Sequence, residues 1–223
     1  MERCQVEVMN WMSSSKLQVE PLIVGPLFSN CYIIYDDKEK LGAVIDPGDD
    51  ADIILTKVKE MDVEIKYILA THGHFDHIGA VAELKTALGA DFLAHQDDFF
   101  FIEDGKNAAL RWGVHIQQPP KPDRFIEDGD KIKIGKFEFK VIHTPGHSPG
   151  GVCFLYDRIL FGGDTLFQGS IGRTDFRKGS FEDLKNSIRK RLYSLPDDTI
   201  VYTGHGPPTT IGDEKKYNAF VRA

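Results

Sequence analysis

Cysteine is scarce in this 223-residue chain: Cys4, Cys31 and Cys153, with no two close together in sequence. An odd, sparse set excludes a disulfide framework. Cys31 and Cys153 fall in apolar runs, where buried free thiols are expected, and that usage fits a reducing, cytoplasmic setting. No apolar stretch reaches the length of a bilayer-spanning helix, so no membrane partner is expected. Residues 1–15 lack both a continuous apolar region and an early basic cluster, so no secretory leader is expected there. Basic residues are in deficit, 27 Lys and Arg against 34 Asp and Glu, giving a formal net charge of −7. That balance disfavours a nucleic-acid partner, whose phosphates call for a basic surface. Repeats and low-complexity tracts are absent.

What is present is ordinary for a globular protein, 41% hydrophobic and 27% charged. Residues 1–15 read as an N-terminal extension and 16–223 as a single domain. Residues 17–24, 30–35 and 41–45 read as strands. Residues 49–61 form an amphipathic helix with Ile53, Ile54, Val58 and Met61 on one face. A buried strand over 67–70 leads, through a turn, into a helix that begins near Ile78 and stops at Gly89. A short strand over 91–94 precedes an aromatic patch, Phe99, Phe100 and Phe101, which reads as core. Hairpins over 131–142 and 152–161 follow, then a helix over 180–195 capped by Ser180. A strand over 199–202 and a closing helix over 212–221 complete the chain. Strands followed by helix thus occur twice, over 17–110 and 125–221. Two packed sheets with helices outside would bury such a pattern.

The chemistry is concentrated in Thr71-His72-Gly73-His74-Phe75-Asp76-His77, which puts three of the chain's eight histidines and a carboxylate into six residues. Imidazole and carboxylate are the donors that borderline divalent metals prefer. The cluster lies on a strand-to-helix turn, where loop side chains converge above a sheet edge. His72 and His74 share one side of the extended turn, while Asp76 and His77 fall further round, so two metal positions are expected rather than one. The competing reading is a polar turn in which Asp76 or His77 caps the helix. His95 and His143 stand outside any such motif and read as structural or surface histidines.

The pattern His-x-His-x-Asp-His resembles the signature of the metallo-β-lactamase superfamily. That family's other motifs follow in order: Thr144-Pro145-Gly146-His147, Gly163-Asp164-Thr165 and Thr203-Gly204-His205-Gly206. The resemblance spans nearly the whole chain. It implies an α/β fold, an αββα sandwich of two mixed β-sheets flanked by helices. It assigns His72, His74 and His147 to one metal and Asp76, His77 and His205 to a second, with Asp164 bridging. Two divalent ions are expected as cofactors, zinc first, with iron or manganese served by the same donors. The resemblance also places Asp46, in Asp46-Pro47-Gly48, behind the metal loops as a support. A plain turn is the alternative for Asp46.

The implied activity is metal-dependent hydrolysis by a metal-bridging hydroxide, which Asp76, as a ligand, orients. No side-chain nucleophile is required. The segment from Gly163 to Phe176, with Gly204-His205-Gly206-Pro207, looks like the short glyoxalase II-like hydrolases, which resemble hydroxyacylglutathione hydrolase. The implied partner is a small S-acyl (S-lactoyl) glutathione-type thioester. The helical extension by which full-length glyoxalase II grips glutathione is not expected here, and Arg173 is the candidate substrate contact, against a structural ion pair with Asp175. A carboxylate at Asp164 separates the chain from true β-lactamases, so antibiotic hydrolysis is not expected. A mononuclear-iron persulfide dioxygenase, using positions matching His72, His147 and Asp164, is the alternative reading. A lactonase or another hydrolase of this fold is a further one.

Overall fold

The computed structural model describes residues 15–222. The expected extension over 1–15, all but its last residue, and Cys4 lie outside the described residues. The chain begins with three strands, β1 (Leu17–Val24), β2 (Ser29–Asp36) and β3 (Leu41–Ile45), then α1 (Ala51–Met61), β4 (Glu64–Leu69), α2 (Phe75–Ile78), α3 (Val81–Leu88) and β5 (Asp91–His95). Two short helices, α4 (Phe99–Glu103) and α5 (Gly105–Arg111), precede β6 (Arg124–Ile126). The second half holds β7 (Lys131–Ile134), β8 (Phe137–His143), β9 (Val152–Tyr156), β10 (Ile159–Gly163), the small pair β11 (Leu166–Phe167) and β12 (Ser170–Ile171), α6 (Phe181–Ser187), β13 (Ile200–Thr203), β14 (Thr209–Thr210) and α7 (Ile211–Tyr217).

The strands assemble into two six-stranded sheets, ordered β1-β2-β3-β4-β5-β6 and β14-β13-β10-β9-β8-β7. Each is mixed. β3, β4, β5 and β6 run parallel beside an antiparallel β1-β2-β3 meander, and β10-β13 is the parallel pair of the second sheet. Burial comes in three layers. Ile54, Val58 and Leu84 from the helices pack on the first sheet. Ile34, Leu69, Phe139, Phe154 and Phe161 interleave between the sheets. Leu184, Ile188 and Ile211 cover the second sheet's outer face. This is the expected αββα sandwich, with helices outside and the largest apolar side chains in the middle, each contributing about 1.5–3 kcal/mol by leaving water. No helix among the described residues is long and apolar enough to cross a membrane.

Local departures from the sequence reading have tertiary causes. Ile53 is exposed while Ile54 and Val58 are buried: residues 54 and 58, four apart, share one face of the helix, and residue 53 lies about 100° round from that face. The helix expected from Ile78 is broken into α2 and α3, where the Ala80 amide donates to the Pro47 carbonyl (3.0 Å). The helix expected over 180–195 passes from α6 into a π-helical turn, Ile188–Leu192, although Ser180 does cap it, accepting from the Asp183 amide at 3.2 Å. The closing helix ends at Tyr217 because Asn218 turns extended and its side chain accepts from the Phe220 and Val221 amides.

Candidate metal centre

All seven residues expected as ligands follow the C-terminal ends of strands and converge at one edge of the sandwich. His72 and His74 follow β4, His147 follows β8, Asp164 follows β10 and His205 follows β13. Asp76 and His77 lie in α2. The capping alternative does not hold: His74 is the N-cap position of α2, and no side chain caps it.

The converging side chains fall into overlapping groups, one of which joins Asp46 to His72 and His77. His72, His74 and His147 each present one ring nitrogen, all within 4.8 Å of one another, and Asp76, His77 and His205 form a second such group. Ligands about 2.1 Å from a tetrahedral ion lie roughly 3.4 Å apart, so both groups are close to coordinating spacing. Asp164 stands between them, with Oδ2 3.6 Å from His147 Nε2 and 3.7 Å from His205 Nε2, and Oδ1 3.5 Å from His77 Nε2.

The hydrogen bonds test whether these residues suit cations. The Thr71 hydroxyl donates to Asp46 Oδ2 (2.6 Å), so it accepts from His72 Nδ1 (3.1 Å), which leaves the His72 Nε2 lone pair facing the centre. His147 Nδ1 donates to the Arg173 carbonyl (2.7 Å), and its Nε2 meets His74 Nδ1 at 2.9 Å. Two ring nitrogens face to face need a proton or a cation between them. His72 Nε2, His74 Nε2 and Asp164 Oδ1 are buried polar atoms with no hydrogen-bond partner. Unpartnered donors and acceptors are costly in a protein interior, and here all three belong to the converging residues. The donor set therefore fits divalent ions.

Electrostatics separates the two groups. Burial, then the neighbouring imidazoles, pushes His72 far below the ordinary histidine range. Burial and His147 take His74 down to about 3. Both rings are thus neutral, with lone pairs free to meet a cation. Burial also opposes charge on His77, but Asp76, Asp164 and Asp46 outweigh it and push His77 up to about 10. Burial opposes ionisation of Asp76, yet His77 and His205 hold its carboxyl well below the usual range.

Three supports complete the centre. Asp46 accepts from the Thr71 amide (2.7 Å) and faces His77 Nδ1 (3.2 Å), so it braces the loop from behind as expected. Two further supports were missed from sequence. Ser29 donates to Asp76 Oδ2 (3.2 Å). Asp98, buried, accepts from the Gly73 amide (2.8 Å), the Ser148 hydroxyl (2.7 Å) and the Gly150 amide (2.6 Å). It ties the His72–His74 turn to the His147 loop. Burial raises its carboxyl above the ordinary value, and the three donors offset part of the rise. Gly146-His147-Ser148-Pro149-Gly150 has the spacing of a nucleophile elbow. Ser148 is nevertheless fully buried, with its hydroxyl committed to Asp98, so it is no nucleophile.

The centre opens into a cleft of about 620 Å³ with mainly apolar walls, among them Phe75, Phe100, Phe101, Trp112, Phe167 and Phe176. Phe101 and Phe176 stand edge-on to His74 at 4.6 and 5.0 Å. Phe100, Phe101 and Phe176 line the cleft, so the expectation that the aromatic patch is core holds only for Phe99, which packs against the first sheet's core. Arg173 is at the rim, and its guanidinium is bidentate on Asp175 (3.0 and 2.8 Å). The ion pair weighed as the alternative thus forms, and what Arg173 gives the centre is its carbonyl, which orients His147. His95 and His143 lie elsewhere, stacked on each other at 4.4 Å. Cys31 and Cys153 are buried free thiols, as expected.

Residues 24–205 match the family model for the metallo-β-lactamase superfamily. Over 211 residues the chain is 41% identical to the hydroxyacylglutathione hydrolase GloC of Haemophilus influenzae, covering 93% of this chain and 99% of that one. Among solved structures it is similar to BLEG-1 B3 metallo-β-lactamase, with 39% identity and a TM-score of 0.86 over 92% of this chain and 100% of that one. It is also similar to TTHA1623, solved in a di-iron-bound form, with 41% identity and a TM-score of 0.84 over 91% and 100%. With its motifs, its sandwich and its two facing ligand groups accounted for, the chain belongs to the metallo-β-lactamase superfamily and its metallo-hydrolases.

Proposed function

We propose that the protein is a two-ion hydrolase of small acyl thioesters of the S-lactoylglutathione type. The observation that carries this reading is the pair of complete ligand groups facing each other across Asp164 on the floor of an apolar cleft. The 41% identity to a hydroxyacylglutathione hydrolase supports the thioester class. The second group, Asp76, His77 and His205, supports a hydrolase over the single-iron dioxygenase, which would leave those three residues without a task.

His72, His74 and His147 would hold one ion, Asp76, His77 and His205 the other, and Asp164 would touch both; zinc is our first choice, with iron or manganese compatible. When bound, such ions lower the pKa of water to about 7 and polarise a carbonyl. The chain's own contribution is placement. The Asp76 carboxylate accepts from Ser29 at 3.2 Å and lies beside His205 Nε2 at 3.3 Å, so it would help to hold an ion of the second group and to position the water that ion activates. Phe101 and Phe176 shield the acyl group from bulk water. Imidazole rings of low basicity at His72 and His74 stay available as ligands through neutral pH.

Hydrolysis of S-lactoylglutathione by metal-replete protein, followed beside a chromogenic cephalosporin, tests this. The expected result is thioester turnover that disappears in Asp164→Ala, with the cephalosporin intact. The likeness to BLEG-1 makes β-lactam hydrolysis the second reading. Cephalosporin turnover without thioester turnover would establish that reading and overturn ours; turnover of neither would overturn both.

A further inference from the structure

Outside the metal centre the chain buries a second carboxylate, Glu214 in α7, which is 2% exposed. Its Oε1 accepts from the Thr209 hydroxyl (2.6 Å). Its Oε2 accepts from the Asn218 side-chain amide (2.7 Å) and from the Gly169 amide (2.9 Å). These donors are neutral, and a buried carboxylate is costly unless such bonds satisfy it. α7 itself is firmly seated: Ile211 packs in the cover of the second sheet, and the Tyr193 hydroxyl donates to the Glu214 carbonyl (3.0 Å). Glu214 therefore joins a fixed helix to the Gly169 turn.

That turn is the tip of the small hairpin β11-β12, where Leu166 pairs with Ile171 and Phe167 with Ser170. Gly169 takes the left-handed conformation the tip requires (φ 69°). The tip is held twice more, by the Asn218 side chain on the Ser170 carbonyl (2.9 Å) and by the Ala219 amide on the Gly169 carbonyl (3.3 Å). The hairpin leaves the metal centre at Asp164 and returns to it. A Cβ on Gly172 would clash with the Asp164 carbonyl and lie 3.1 Å from His147 Nδ1, and the next residue, Arg173, gives the carbonyl that orients His147 (2.7 Å). In between, Phe167 and Ile171 line the cleft, and Phe167 stands edge-on to His205 at 6.3 Å. Two short strands are marginal by themselves, so the hold on the tip decides where these two side chains stand.

We propose that Glu214 is a positioning residue for the reaction: by holding the Gly169 tip it sets Phe167 and Ile171 as the cleft wall beside His205. It acts through the hairpin, not on the substrate. The proposal rests on the thioesterase reading for the substrate of its kinetic test, but the hold on the hairpin does not. Gln at this position keeps an oxygen for Gly169 and Asn218, and its amide can donate to the Thr209 hydroxyl, which accepts as well as donates. Ala keeps none of these bonds. The two substitutions separate hydrogen bonding from charge.

The test has two arms, both on metal-replete protein. In the first, amide hydrogen exchange is followed in wild type, Glu214→Gln and Glu214→Ala. Amides of residues 166–171 should exchange about tenfold faster in the Ala variant, with β8, β9 and β10 unchanged, and the Gln variant should match wild type. In the second, hydrolysis of S-lactoylglutathione should show KM raised about fivefold by Glu214→Ala, with kcat and metal per chain unchanged and KM restored by Gln. Phe167→Ala should raise KM as well, and adding Glu214→Ala to it should change KM no further, because both act through one wall. Exchange that quickens across the whole second sheet, or nowhere, overturns the proposal. So do KM effects that multiply in the double variant, or Gln as damaging as Ala. Where Glu214→Ala does not fold, Glu214→Asp, which draws the carboxylate one methylene short of Gly169, takes its place with the same expectations. If wild type does not hydrolyse the thioester, the thioesterase reading falls and the exchange arm alone decides the hold on the hairpin. If it does, and exchange at 166–171 ignores residue 214, the positioning role falls and the thioesterase reading stands.

Discussion

Asp98 offers the sharpest test of how the centre is held. Its Oδ2 accepts from Gly73 and Ser148, and its Oδ1 from Gly150, over 2.6–2.8 Å. Replacing it with Ala leaves two amides and a hydroxyl buried without an acceptor. Each such group costs about 1–3 kcal/mol. The Ser148 hydroxyl can rotate and water can enter the vacated space, so a total near 4 kcal/mol is expected rather than the gross sum. Asn keeps one acceptor oxygen where Oδ2 stood, and so two of the three bonds, but sets an amide against the Gly150 N–H. Its cost should be about 2 kcal/mol. For a domain of this size that separates the variants by roughly 4–8 °C in Tm. Thermal unfolding of chelated protein isolates the effect from metal linkage. Metal titration then reads the consequence at the centre: weaker loading of the His72, His74 and His147 group in both variants. The reasoning fails if Asn is as damaging as Ala, if either is neutral, or if stability falls while metal loading is unchanged.

Three further outcomes follow from the same geometry. A Cβ at Gly204 would sit 2.0 Å from Asp164 Oδ1 and 3.0 Å from His77 Cε1, so Gly204→Ala should cost about 1–3 kcal/mol and reduce metal per chain by elemental analysis; full metal content would contradict the packing argument. His77, pushed up to about 10, is protonated at neutral pH, so calorimetry in buffers of different ionisation enthalpy should show about one proton leaving as its group loads. That group's affinity should then rise with pH toward 10 while that of the His72 and His74 group stays flat, and the chelated protein should lose stability as pH climbs from 6.5 through about 10, since a raised pKa favours the folded state only while the proton is bound. Parallel pH dependence at both groups would refute the assignment. Finally, free metal at a thousand times Kd adds about 4 kcal/mol per site, so chelation should lower Tm by on the order of 8–16 °C per emptied site, and an unchanged Tm would mean that the ligands do not bind ions in the folded state.

The seven residues that converge on the candidate centre were legible because the chemistry is written locally. His72 to His77 is one turn, and His147, Asp164 and His205 each follow an apolar run that had to be a strand. The two-by-two division of the turn was legible for the same reason. Asp98 and Ser29 were not, since their partners lie 25 to 52 residues away and neither sits in a motif. Phe100 and Phe101 were misread because an apolar patch carries no mark of which side faces the cleft; the turn from β5 into α4 decides it. Arg173 was legible as important, but by its side chain, whereas the bond that orients His147 comes from its carbonyl. Backbone acceptors leave no trace in residue type.

Beyond the turn they share and Asp164 between them, the two groups are braced by different contacts that meet at Asp46. The His72, His74 and His147 group is drawn together by Asp98, which crosses from the β4 turn to the β8 loop. The Asp76, His77 and His205 group depends on the joint between the sheets, where the Asn30 amide donates to the Gly204 carbonyl (2.7 Å) and the Asn30 side chain to the Thr203 and Gly206 carbonyls (3.0 and 2.8 Å). Asp46 belongs to both. Through Thr71 it sets the tautomer of His72, and directly it faces His77. One buried carboxylate thus aims a ligand from each group, and the rings it aims lie 4.2 Å apart. Two ions held by wholly independent loops would drift with each loop. Here the spacing between the groups is tied to their shared contact with Asp46, through Thr71 on one side and His77 on the other.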